Sequence, residues 1–318
     1  MNRYFRFSIL IILLLSVFLS VQNSFGQCCS AGSPLGASTY GGVVDKNGFR
    51  FSTYVRYSRS DDYYSGSTKE NNNWPLSYAD FLFQGLTIGY GITKKLNVEA
   101  ELGYFYKKTQ YYVKEPDIPQ IIYKGSGLSN GIISTKYALY KSISNGLELT
   151  LGAGLKFPFT TKPLYVGKQD IEPSTNAYGW MAQLNMQKEF KAQKITLFFY
   201  NRFEQNSVNK NNYDYGDRLR VSLIASKKIK KNYGAMIQAR YEYIGQDMSN
   251  GVKYPNTGAN LIFVSPQFLY SLKGKWNFIL GVDLPVYKNY TGTQISNSYA
   301  VSLNLTHDLS LNKKAALN

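Results

Sequence analysis

The sequence predicts an all-β fold: a closed antiparallel transmembrane β-barrel of about 12 strands, with short periplasmic turns and longer extracellular loops. Three observations predict it. Segment after segment alternates with period two, one face apolar or aromatic and the other charged, amide or glycine. The connections between these segments are short and long by turns. The chain also opens like a secreted precursor: Arg3 and Arg6 precede the apolar run Ile9 to Leu19, and Ser24-Phe25-Gly26 offers small residues for cleavage. That run is too short for a convincing membrane helix.

In chain order, residues 1–26 read as a signal peptide with cleavage after Gly26, and 27–46 as a glycine-rich periplasmic leader or plug. The barrel is expected over 47–311, with a tail over 312–318. The leader carries both cysteines of the chain, Cys28 and Cys29. In an oxidising compartment adjacent thiols suit a vicinal or intermolecular disulfide. Paired thiolates also suit a soft metal ion such as Cu(I), which makes Cys28 and Cys29 the candidate metal ligands. A lipid anchor is disfavoured, because Cys28 follows Gln27 and not a small residue.

The first strand is expected over about 48–59, with Phe49, Phe51, Val55 and Tyr57 opposite Arg50, Ser52 and Arg56. The second (78–92) and third (within Gly91–Tyr106) set Leu86, Ile88 and Tyr90, then Leu96, Val98 and Leu102, against glycines and Glu99 and Glu101. The fourth (129–142), fifth (147–157) and sixth (177–190) follow, with Lys136, Glu148, Lys156 and Gln183 on the polar side. The seventh (194–205), eighth (217–229) and ninth (233–245) contribute Arg202, Glu204, Arg218, Arg220, Arg240 and Glu242. The tenth (260–272) is the least regular, since Leu261, Phe263 and Leu269 spoil its polar face. The eleventh (276–287) and twelfth (298–309) oppose Leu280 and Leu303 to Asp283 and Asn304.

Short turns are expected near 93–95, 144–146, 192–193, 230–232 and 273–275, and long polar loops over 60–77, 107–127, 158–176, 206–216, 246–258 and 288–297. An even number of strands puts both termini on the periplasmic side. A soluble sandwich would bury the apolar faces in a core. Here the aromatics gather near the ends of the apolar stripes (Tyr90, Tyr104, Tyr106, Trp180, Tyr241, Trp276), where the headgroup layers of a bilayer would meet them. The apolar face is therefore expected to look into lipid.

The inward face then holds the candidate lumen and selectivity residues: Arg50, Arg56, Lys136, Lys156, Arg202, Arg218, Arg220 and Arg240 against Glu99, Glu101, Glu148, Glu204, Glu242 and Asp283. Cross-strand ion pairs that hold a narrow barrel together are one reading. A constriction at Arg218 and Arg220 that biases passage toward anions is the other. The formal net charge of +16 is spread through loops and turns, which argues against nucleic acid as a partner. The only histidine, His307, has Leu305 and Leu309 at two-residue spacing, so no nucleophile–base pair flanks it and no enzyme is expected. No cofactor motif is present.

Several stretches resemble one family of bacterial outer-membrane barrels, those linked to the meta-pathway of phenol degradation and also described simply as transporters. They are Tyr90-Gly91-Ile92-Thr93, Gly125–Tyr140, Leu149–Thr160 and Pro266–Gln294. The resemblance implies an outer-membrane channel of a Gram-negative bacterium for passive uptake of small molecules, aromatic or otherwise hydrophobic ones among them, with membrane lipid as its surroundings. Asn130 stands where that pattern leads one to expect an acidic residue, and the chain ends on Lys313–Asn318 and not on an aromatic. The alternative is a binding or structural barrel whose Tyr- and Asn-rich loops, around 61–73 and 205–214, contact a surface or partner without transport.

Overall fold

The computed structural model describes residues 42–71, 75–112, 121–159, 171–272 and 276–310. The signal segment, most of the leader with Cys28 and Cys29, the turn at 273–275 and the 312–318 tail lie outside the described residues.

Sixteen strand elements follow one another: β1 (Gly48–Gly66), β2 (Thr68–Glu70), β3 (Leu76–Gly91), β4 (Leu96–Tyr112), β5 (Ile122–Leu128), β6 (Gly131–Ser142), β7 (Leu147–Phe157) and β8 (Gly179–Phe190). Then come β9 (Ile195–Asn206), β10 (Tyr213–Asp214), β11 (Arg218–Lys228), β12 (Tyr233–Ile244), β13 (Met248–Ser249), β14 (Val252–Lys253), β15 (Ala259–Leu272) and β16 (Trp276–Ser310). Eleven of them form the wall, each antiparallel to the next in the order β1, β3, β4, β6, β7, β8, β9, β11, β12, β15, β16. β16 then pairs with β1 from Gly48↔Ser310 upward and closes the ring. Closure satisfies every wall ladder, as a membrane interior without water demands.

β16 is two legs of a hairpin. Its first leg pairs with β15 as far as Ala259↔Tyr290, and its second pairs with β1 from Thr293 onward. The reversal falls at Thr291-Gly292, where Gly292 takes the left-handed φ of 74°. Across the hairpin the Trp276 ring stacks on His307 at 4.0 Å, and Asn304 Nδ2 donates to the Ile279 carbonyl at 3.4 Å. Ten elements plus two legs make twelve strands, the number read from the sequence.

Parity along each strand settles the faces. Leu151 is 50% exposed and Leu280 49% on the outer wall, while their neighbours Thr150 and Asp283 are buried inside. Strand reaches into several of the expected loops. β1 runs on to Gly66 and the β16 hairpin shortens the 288–297 loop to a tight turn, because Tyr63, Leu76 and Ile295 form a buried cluster beyond the membrane-height stripe. In β4 the strand continues to Tyr112, and its upper half pairs with β5 in place of β6. The alternation persisted there, but polar composition concealed it.

Glycines on the inner face receive aromatic rings. A Cβ on Gly85 would lie 2.1 Å from Tyr54 Cε1, and one on Gly103 would lie 2.3 Å from Phe83 Cζ. Tyr54, Phe83 and Phe105 therefore lie flat against the wall as a buried cluster, with the rings of Phe83 and Phe105 edge-on at 4.7 Å.

The long-loop end carries a roof. The loops before β11 and after β12 are joined by the small sheet β10-β13-β14. Their centre is Asp247: its carboxylate accepts from Tyr213 Oη (2.6 Å) and Gly216 N (2.8 Å), and its own N–H donates to Thr257 Oγ1 (3.0 Å). Burial pushes the Asp247 carboxyl up from its ordinary value, against the pull of those donors.

Candidate functional site: the ionic lumen

Inward parity on β9, β11, β12 and the first leg of β16 stacks charge at one height of the lumen. From β1, Arg56 meets Asp283, which also accepts from Arg240 Nη2 at 3.1 Å and from Ser265 Oγ. Arg240 reaches Glu242 at 2.9 Å, and Glu242 lies 3.4 Å from Arg220. Arg220 meets Glu204 at 3.3 Å, and Glu204 is held as well by Arg202 at 2.9 Å and Lys156 at 3.3 Å. Arg202 then donates to both oxygens of Glu101 at 3.0 Å.

The last contact matters most, because β6, β7 and β8 separate β4 from β9 along the wall. Arg202–Glu101 therefore crosses the lumen. The chain of contacts is a belt of five cations (Arg56, Lys156, Arg202, Arg220, Arg240) and four anions (Glu101, Glu204, Glu242, Asp283), a surplus of 5 − 4 = +1. Its members are buried, Arg202 at 1% exposure, apart from Glu242, which is partly exposed. Such charges are tolerable because each has a partner of opposite sign, and Arg202, Arg220, Arg240, Glu204, Glu242 and Asp283 have two or more.

The remaining candidates lie off this belt. Arg218 is buried on the same face of β11 as Arg220, one step nearer the roof. Lys136 and Glu99 form a separate buried pair at 2.8 Å, with Asn97 Nδ2 donating to Glu99 at 2.9 Å. At the short-turn mouth Arg50 grips Asp308 through two bonds of 2.7 and 2.8 Å and donates to the Gly42 carbonyl at 2.7 Å. Glu148 accepts from the Val43 N–H at 2.7 Å, so residues at the start of the described chain are clasped inside that mouth. The candidate metal ligands Cys28 and Cys29 are outside the described residues.

Sequence reading missed part of the lumen. Leu261, Phe263 and Leu269 do point inward, as the mixed face of the tenth strand signalled; the Arg240 guanidinium lies 4.5 Å over the Phe263 ring. Tyr200, Ile224 and Met236 form another buried apolar group nearer the short turns. Beside the belt, along β7 and β8, a different surface appears: Thr150 Oγ1 and both amide atoms of Gln183 and of Asn185 are buried without a hydrogen-bond partner. Unpaired amides are rare in a buried interior, which marks this flank as a polar lining that the wall itself does not satisfy. Asn130 is fully engaged: it accepts from Ser174 Oγ (2.5 Å) and Thr175 N (3.0 Å) and donates to Thr175 Oγ1 (2.6 Å). An amide does there what a carboxylate could not, because it also donates.

No family model matches the chain, and no curated protein matches its sequence. Among solved structures, an outer membrane channel from Pseudomonas putida F1 superposes with a TM-score of 0.67 at 11% identity, over 87% of this chain and 100% of that one. The NanC porin aligns with a TM-score of 0.46 at 10% identity, over 82% of this chain and 100% of that chain. A Pseudomonas aeruginosa FadL homologue aligns at 0.44 and 8% identity, over 89% and 99%. The first likeness shows the fold, a closed antiparallel β-barrel; the other two are too distant to bear on more.

Proposed function

We propose that the protein is an outer-membrane channel of a Gram-negative bacterium that admits small molecules passively, with the leader and short turns in the periplasm and the roof outside. The observation that carries this is the polar flank at Thr150, Gln183 and Asn185, whose buried side-chain atoms have no hydrogen-bond partner. A barrel built only as a rod has no use for unpaired amides in its middle, since each costs about 1–3 kcal/mol when it lacks a partner. Water and small solutes pass along this flank, beside the belt, which braces the bore from β9 across to β4. The belt's surplus positive charge, with Arg218 next to it, favours anionic or polar solutes over cations. The resemblance to the phenol-degradation barrels adds small aromatic molecules as the expected cargo. The protein is read as a transporter and not an enzyme.

Liposomes carrying the pure protein test this. Uptake of a small solute well above that of empty liposomes supports the channel. Impermeability to ions and to solutes of every size would leave the second reading, a closed barrel that works through its outer loops. A specific feature favours that second reading: the ordered roof around Asp247 and the belt below it both narrow the route.

A further inference from the structure

On the short-turn side of the belt the lumen widens into a vestibule of about 460 Å³. Hydroxyl and amide groups of Thr196, Ser226, Ser271, Asn277 and Thr306 stand around an apolar floor. Phe198 of β9, Met236 of β12, Leu269 of β15 and Ile279 of β16 line it, continuous with the buried Tyr200 and Ile224. Its rim is cationic: Lys191 and Lys194 come from the β8–β9 turn and Lys228 from the end of β11, with Arg50 opposite. The acids at the rim are Glu189 and Asp308, so the lining carries 4 − 2 = +2.

The cations are unequal. Arg50 is committed to Asp308 and the Gly42 carbonyl. Lys191 spends one bond on the Ile143 carbonyl at 3.2 Å, and an ammonium group has three donors. The surplus charge of the vestibule therefore belongs to three long, flexible amines above a greasy floor. An inorganic anion would meet the amines and gain nothing from the floor. A neutral hydrocarbon would meet the floor and gain nothing from the rim. Only a ligand with an anionic head and an apolar body uses both, and the cavity lies within the usual range for small-molecule sites, about 300–1,000 Å³.

We propose that this vestibule binds amphipathic organic anions, with a carboxylate on Lys191, Lys194 and Lys228 and an aromatic or short acyl body on Phe198, Met236, Leu269 and Ile279. The inference rests on the channel reading for its meaning as a substrate class, while the binding step stands by itself. Cargo that has passed the belt, or that waits in the periplasm, is held here at the mouth by charge and apolar contact together.

Equilibrium binding of octanoate, octan-1-ol and acetate to the full protein in nanodiscs, with empty discs subtracted, tests it. Octanoate is expected to bind at least tenfold more tightly than either comparison compound. The triple variant Lys191→Gln, Lys194→Gln, Lys228→Gln is expected to weaken octanoate at least fivefold and leave octan-1-ol unchanged; all three side chains are exposed, two in a turn and one at a strand end, so folding is not at stake. Leu269→Asn is expected to weaken both octanoate and octan-1-ol. Equal affinity for octanoate and acetate, equal affinity for octanoate and octan-1-ol, or a triple variant that binds octanoate as the parent does would each overturn the proposal. Liposome uptake run in parallel separates the two ideas. Uptake without octanoate preference sinks the vestibule site alone, and octanoate binding without uptake sinks the channel alone.

Discussion

The belt and the vestibule are lined by the same strands a few residues apart, and they handle charge in opposite ways. In the belt every cation faces at least one carboxylate within 3.4 Å, and Glu204 alone serves Lys156, Arg202 and Arg220. In the vestibule lysines outnumber acids and the floor is apolar. The contrast separates structure from site. Charge buried away from water must be compensated and so becomes rigid, whereas charge at a solvent-filled mouth keeps its freedom and is available to a ligand.

The sharpest way to break this comparison is to remove the belt's busiest carboxylate. Glu204→Gln leaves three cations short of a partner and is expected to cost about 3–5 kcal/mol of barrel stability, read from urea unfolding in lipid vesicles. Lys228→Gln at the vestibule rim should change stability by no more than about 0.5 kcal/mol. If the two variants unfold alike, the belt is not the structural element described here. Next in size is Gly85→Ala, whose Cβ would be placed 2.1 Å from the Tyr54 ring; overpacking of this kind costs about 1–3 kcal/mol and should show in the same unfolding assay. A smaller, functional effect is expected from the double variant Arg218→Ala, Arg220→Ala: the anion preference of conductance in planar bilayers should fall or invert. Unchanged selectivity would remove these two arginines from the account.

The smallest effect concerns the roof. Because burial raises the Asp247 carboxyl, the native state keeps its proton at a pH where the unfolded loop has lost it. The stability this group gives is complete below the ordinary carboxylate value and is lost as pH rises through the raised one. The roof loops should therefore be cut faster by an added protease at neutral than at mildly acid pH, and Asp247→Asn should flatten that dependence.

The wall was legible because a membrane enforces one rule on every strand: lipid on one side and enclosed side chains on the other. The inward positions of Arg202, Glu242 and Asp283 follow from parity alone. Which of them touch does not, because Arg202 and Glu101 meet across the lumen from strands far apart in the ring, and no period in the sequence encodes that distance. The vestibule floor was hidden for a related reason. Ile279 and Leu269 are apolar on the inward side, where the binary pattern expects polar residues, and the irregularity of the tenth strand was the only sign of it. The strand extensions near Tyr63 and Tyr290 were obscured because tyrosine-rich segments outside the membrane look like loops by composition.

A channel of this kind needs an aqueous interior and a lipid-facing exterior at one height of the wall. In a Cys28→Ser, Cys29→Ser background, single Leu151→Cys and Asn185→Cys variants in vesicles test this directly with a membrane-impermeant thiol reagent. Asn185→Cys should react and Leu151→Cys should not, while brominated acyl chains should quench a fluorophore at position 151 only. Reaction at 151 with protection at 185 would mean that the faces are reversed, and the lumen would then be a dry core with no route through it.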